Sequence, residues 1–125
     1  NTISLEIIIL YISAIFWTLG YDTIYGIQDV EDDEIIGIKS TSIKFKNNIK
    51  LFVSFCYFVN LVLILILFYN KFGLNNFTLI MTIYTLSLIY QIIKFKKNDP
   101  KECLATFKIN NFSGLFLFFG IFLIN

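Results

Sequence analysis

Apolar residues fill the chain in four long runs separated by short polar connections. Ile3 to Gly20 carries one charge, Glu6; Leu51 to Tyr69 carries none; Phe77 to Phe95 carries only Lys94; Phe112 to Ile124 carries none. A helix crosses a bilayer in roughly 20 residues, so the first three runs predict spanning helices. The fourth reaches that length when it starts near Leu104. The predicted helices are residues 3–27, 51–69, 77–95 and 104–124. The runs are apolar all round instead of alternating, which excludes membrane strands. The expected fold class is therefore all-α, a multi-pass transmembrane helical bundle of about four helices.

Composition agrees with the pattern: 57% of residues are hydrophobic, 18% aromatic and 15% charged, and the mean hydropathy is +0.74. In 125 residues there is room for a few spans and short connections, and any chemistry falls on helix ends and loops. The connection "NKFGLNN", Asn70 to Asn76, reads as a tight polar turn. "KKNDPKE", Lys96 to Glu102, holds the only proline. Asp99-Pro100 is a helix stop and restart, because proline disfavours helix in the residue before it yet fits a first helical turn.

The basic residues orient the chain. Lys39, Lys44, Lys46 and Lys50 lie in the first connection, and Lys94, Lys96, Lys97, Lys101 and Lys108 in or beside the third, against Lys71 alone in the second. Four spans put the first and third connections on one side, which the positive-inside rule makes cytoplasmic. All ten basic residues are Lys, so bidentate arginine recognition of phosphate is excluded, while a lysine point charge still suits it. The absence of His, with cysteines only at Cys56 and Cys103, excludes a zinc site of ordinary spacing. Both thiols read as packing residues. Because the chain opens on Asn1, the expectation is a trimmed start or a piece of something longer.

Against this background, "YDTIYGIQDVEDDEIIGIKS", Tyr21 to Ser40, holds six of the nine acidic residues. On a regular helix Asp22, Asp29 and Asp33 fall within roughly 40° of one another, with Tyr25 about 60° to one side. Glu31 and Glu34 point elsewhere, and Asp32 lies off to the flank. Three like charges on one face repel one another unless a cation lies between them, and hard oxygen donors suit Mg²⁺ held jointly with phosphate oxygens. Gly37 suits the helix end, and Lys39 and Ser40 offer a charge and a hydroxyl to a phosphate group. The plainer reading, a solvated charge run closing a transmembrane helix, does not explain Asp22, which directly follows the apolar run where an ionisable group is costly.

The same stretch, continued to Thr41, resembles the second aspartate-rich motif of the UbiA superfamily of intramembrane aromatic prenyltransferases. In its 4-hydroxybenzoate polyprenyltransferase branch the pattern reads approximately Y-D-x-x-Y-x-x-x-D-x-x-D-D-x-x-x-G-x-K-S-T. Tyr21, Asp22, Tyr25, Asp29, Asp32, Asp33, Gly37, Lys39, Ser40 and Thr41 match it. "DPKECLATFKINNFSGLFLFFGI" is similar to that branch's terminal helix through Cys103, Phe107, Asn110, Asn111 and Gly114. Gly26 and Ser42 differ from the branch, at positions not expected to be decisive.

The resemblance implies a bundle of about nine helices around a cavity, with two aspartate-rich motifs that hold Mg²⁺ against the diphosphate of a polyprenyl donor. Carried onto this chain, it makes Asp29 and Asp33 metal ligands and Asp22 a supporting acid. Lys39, Tyr25 and Ser40 then stand around the diphosphate. It implies transfer of a polyprenyl group to 4-hydroxybenzoate in ubiquinone biosynthesis, in a bacterial inner membrane or a mitochondrial inner membrane. The first motif, of the N-D-x-x-D-x-x-x-D type, is not in this sequence. Residues 1–125 are accordingly expected to be the C-terminal half of such a domain, partnered by polyprenyl diphosphate, 4-hydroxybenzoate, the lipid bilayer and a separate N-terminal half chain, with no nucleic acid.

Three other readings compete. A CDP-alcohol phosphotransferase needs D-G-x-x-A-R, but Thr23 follows Asp22 and the chain has no Arg. A non-catalytic cation-binding membrane subunit would carry polar groups deep in its other spans, where Leu51 to Tyr69 offers only Ser54, Cys56 and Asn60. A lone Asn more often serves helix packing. An inactive fragment would keep the motif without the activity.

Overall fold

A computed structural model describes residues 4–96 and 98–123; the predicted end positions at 1–3 and 124–125, Lys97 and the side chain of Glu31 lie outside the described residues. The described chain is helical, with four segments long and apolar enough to cross a membrane. The first is α1, Leu5–Gly26, started by the Ser4 hydroxyl, which accepts from the Ile7 N–H at 3.3 Å. It passes through a 3₁₀ turn, Ile27–Asp29, into the short α2, Val30–Ile36, and a four-residue α3, Thr41–Lys44. The second and third spans are α4, Ile49–Leu67, and α5, Asn76–Lys94.

The fourth span differs from expectation. It starts at Pro100 instead of Leu104, because Asp99 caps it, its carboxylate accepting from the Glu102 N–H at 3.3 Å, and Pro100 occupies the first turn, where no N–H is required. It is also divided at Ile109 into α6, Pro100–Lys108, and α7, Asn110–Phe122.

The helices pack in two main pairs, α1 with α4 and α5 with α7, joined by α6 lying on α1. Small buried residues, Ser13 and Gly20, line α1 where α4 approaches. Inside the bundle the polar side chains find one another. Asn60 donates to the Ser13 carbonyl at 2.9 Å and to its hydroxyl at 2.8 Å, and accepts from the Tyr84 hydroxyl at 2.9 Å. Tyr57 donates to Gln91 Oε1 at 2.7 Å, and Gln91 Nε2 and Trp17 Nε1 each donate to Asn110 Oδ1 at 3.1 Å. Ser87 and Ser113 share a bond of 2.6 Å. Asn60 is thus a packing residue, as expected. In a bilayer each such bond contributes about 0.5 to 2 kcal/mol to helix association. Both cysteines are buried and free of a disulfide.

The two lysine-rich connections meet at one end of the bundle. Lys50, at the start of α4, donates to the Ile92 and Ile93 carbonyls at the end of α5, at 2.7 and 3.3 Å, with its ammonium 4.8 Å from the Phe95 ring centroid. A cation on the unpaired last carbonyls of a helix satisfies them and complements the helix dipole.

Candidate functional site

The acid-bearing segment leaves α1 through a change of helical winding. At Ile27 the backbone N–H turns to the Ile24 carbonyl, three residues back instead of four. That withdraws the donor a regular helix would give to the Thr23 carbonyl. The Ser42 hydroxyl takes its place, donating to that carbonyl at 2.7 Å, while the Thr23 and Thr41 hydroxyls share a bond of 2.7 Å. Gly26 leaves the room for this clasp, since a Cβ there would meet the Ser42 Oγ.

Beyond the turn, α2 ends at Gly37, whose φ of 81° lies in the left-handed region. The Ile38 N–H returns to the Asp33 carbonyl at 2.9 Å and the Gly37 N–H to the Glu34 carbonyl at 3.3 Å, a Schellman closure. The chain then runs through exposed Ile38 and Lys39 to Ser40, which caps α3 by accepting from the Ile43 N–H at 3.3 Å.

The structure modifies the single helical face expected of Asp22, Asp29 and Asp33. A 3₁₀ turn advances about 120° per residue against 100° for an α-helix, so three such residues widen the spread from roughly 40° to roughly 80°. Asp22 is exposed on α1, Asp29 is exposed at the end of the turn with φ −108° and ψ 5°, and Asp33 is half-buried one helical turn later. Among the described residues no three carboxylates or thiols are gathered closely enough to hold one ion.

Tyr25 lies two residues before the break with its ring 4.7 Å from that of Phe107. Ser40 spends one lone pair on its helix cap and keeps its hydroxyl hydrogen. Lys39 is exposed beside it. On the surface of the segment Lys46 pairs with Glu34 at 2.7 Å. Among the described residues no hydrogen bond or ion pair engages the carboxylates of Asp22, Asp29 or Asp33, which leaves hard oxygen donors at the end of the bundle that carries most of the lysines.

Such a donor set fits a hard divalent ion that takes one or two protein carboxylates and completes its shell with phosphate oxygens and water. Two residues that contact the end of α1 behind this segment are not singled out for it by the sequence. Ser42 had only its place after the motif as a signal, and Phe107, 82 positions from Tyr25 in the numbering, had only its place in the second stretch of resemblance.

Comparison with known proteins settles the lineage. The model of the UbiA prenyltransferase family matches residues 1–120. The chain belongs to that family. Curated relatives named 4-hydroxybenzoate octaprenyltransferase align along almost all of it. That of Francisella tularensis subsp. mediasiatica is 36% identical over 119 residues, covering 94% of this chain and 42% of the relative. That of Psychromonas ingrahamii is 32% identical over 124 residues, covering 98% of this chain and 43% of the relative. The chain therefore spans less than half the length of these relatives. No solved structure matches it significantly. The UbiA family is one of prenyltransferases, so the acid-bearing segment is placed in a transferase lineage, on a membrane protein whose described residues include four helices long and apolar enough to cross a bilayer.

Proposed function

We propose that this chain is the C-terminal half of a UbiA-type domain and carries the second aspartate-rich side of an Mg²⁺-dependent transfer. In this reading a polyprenyl group moves from polyprenyl diphosphate to 4-hydroxybenzoate in ubiquinone biosynthesis. The observation that carries it is the pair Asp29 and Asp33, one helical turn apart and without a partner among the described residues, at the end of the bundle where Lys39 is exposed. The names of the relatives support the acceptor, and their bacterial sources support a bacterial inner membrane over a mitochondrial one.

In this reading Asp29 and Asp33 hold Mg²⁺ and Asp22 adds negative charge near them. Bound there, the ion supplies Lewis-acid stabilisation to the diphosphate. Lys39 places its ammonium, and Ser40 its hydroxyl hydrogen, where the leaving oxygens gather charge. The allylic C–O bond breaks with its electron pair going to diphosphate, a new C–C bond forms ortho to the acceptor hydroxyl, and the ring gives up the proton it carried there. The surrounding apolar helices keep water from the allylic cation. The N-terminal half of the domain supplies the first aspartate-rich motif.

The test is Mg²⁺-dependent prenylation of 4-hydroxybenzoate by membranes holding this chain, alone and with a co-expressed N-terminal half from the same family. Activity only with the partner, abolished by Asp29→Ala, is the expected result. No activity from well-inserted protein in either setting overturns the proposal and leaves a fragment that keeps the motif alone.

A further inference from the structure

The acid-bearing turn and α2 have little packing of their own: α2 meets chiefly the turn and α3, while the turn itself rests on α6. Just before the turn, a ladder of rings joins α1 to α6. Trp17 and Tyr21 lie 5.3 Å apart edge to face, Tyr21 and Phe107 5.7 Å apart, and Phe107 and Tyr25 4.7 Å apart. Trp17, Tyr21 and Tyr25 follow one another at four-residue steps on α1, so one face of that helix meets the last two helices. On the opposing side Cys103, Phe107, Asn110 and Gly114 share a face at steps of four, three and four. Asn110 accepts from the Trp17 indole at 3.1 Å, and a Cβ on Gly114 would stand 3.0 Å from Trp17 Cη2. Cys103 anchors the start of α6 by donating from its thiol to the Lys96 carbonyl at 3.1 Å.

Phe107 is the rung nearest the change of winding. Its ring spans Tyr21, one residue before Asp22, and Tyr25, four residues before Asp29. The last ordered turn of α1 is thereby fixed from outside just where the α-helical hydrogen bonds give way. Ser42 fixes the same turn from the far end of the first connection.

We propose that Phe107 is a positioning residue for the metal and diphosphate side of the site: through Tyr25 it sets the direction in which the Ile27–Asp29 turn presents Asp29 and Asp33. This rests on the functional reading above. It assigns α6 a task distinct from spanning the membrane, and it makes the aromatic face of the terminal helices part of the acid-bearing segment's scaffold. A residue that orients ligands without touching the ion typically changes affinity for it by about 10- to 100-fold when lost.

The experiment uses the full chain, co-assembled with the N-terminal half in lipid nanodiscs, as wild type, Phe107→Ala and Phe107→Tyr. Two readouts are taken: amide hydrogen exchange along the chain, and the concentrations of Mg²⁺, prenyl diphosphate and 4-hydroxybenzoate giving half-maximal rate. Phe107→Ala is expected to speed exchange over residues 27–36 while α4 keeps its protection. It should raise the half-saturating Mg²⁺ and diphosphate about tenfold and leave that of the aromatic acceptor unchanged. Phe107→Tyr, which keeps the ring, restores all of these.

Wild-type exchange over 27–36 in Phe107→Ala overturns the proposal, and so does loosening spread equally over α1, α4 and α7, which would mark a general packing role. If the wild-type assembly transfers no prenyl group, the functional reading falls; the exchange pattern still decides whether Phe107 holds the turn.

Discussion

The Ser42 hydroxyl donates to the Thr23 carbonyl at 2.7 Å, in the position that the Ile27 amide would fill in an uninterrupted helix. The acid-bearing turn is thus stabilised by a side chain reaching back from the far end of the same connection. Ser42→Ala leaves a buried carbonyl unpaired, at a cost of about 1 to 3 kcal/mol. The loss should appear locally, as faster amide exchange over residues 23–29 with α5 unchanged. Unaltered exchange there would show that the carbonyl has another partner.

Gly26 and Ser42 are coupled by space as well as by sequence position. A methyl group on Gly26 meets the Ser42 hydroxyl, so Gly26→Ala must displace the clasp or the turn. The Gly26→Ala and Ser42→Ala pair should therefore be strongly non-additive, because once the clasp has gone the added methyl costs little more. A coupling energy above about 0.5 kcal/mol in the double-mutant cycle is expected. Strict additivity of the two losses would contradict the contact.

The reach of sequence reasoning ends at this pair. Spans are readable because lipid imposes an apolar length on every crossing helix, and the acids stand out because they interrupt it. Gly37 is legible too, since a helix end in the left-handed region favours glycine. Gly26 and Ser42 read as incidental departures from the family pattern, yet they touch. Nothing local announces a hydroxyl that serves a carbonyl 19 residues earlier. The 3₁₀ turn is hidden for the same reason, since the 100° step that aligns Asp22 with Asp29 presumes the winding that Ser42 helps to change. The earlier start of α6 is within reach of the sequence: Asp99-Pro100 reads as a restart, and only the hydropathy of the run moves the expected start to Leu104.

Asn60 joins three helices through Ser13 and Tyr84. Asn60→Leu removes those bonds and leaves the Tyr84 hydroxyl unpaired in the bundle interior, a loss of about 1 to 3 kcal/mol. Thr106→Val is the contrasting case. The Thr106 hydroxyl is buried without a partner among the described residues, so a methyl of similar shape should be neutral or stabilising. Thermal unfolding in detergent separates the two: the midpoint falls for Asn60→Leu and holds or rises for Thr106→Val. A fall for Thr106→Val would reveal a partner for that hydroxyl.

Lys39 and Lys46 offer a final contrast, seven residues apart on the same connection. Lys46 is paired with Glu34 at the surface, where such a pair contributes at most about 1 kcal/mol, so Lys46→Met should change stability little. Lys39 stands exposed between the Gly37 helix end and the Ser40 cap, and its proposed work is on the diphosphate. A charge-assisted hydrogen bond contributes about 1.5 to 3 kcal/mol, which corresponds to a rise of roughly 10- to 100-fold in half-saturating prenyl diphosphate for Lys39→Met. Lys39→Arg keeps the charge and should retain much of the affinity, and the gap between the wild type and Lys39→Met should narrow as salt rises. Equal effects of Lys39→Met and Lys46→Met on diphosphate saturation would mean that the connection acts through its overall positive charge, with no defined place for the Lys39 ammonium.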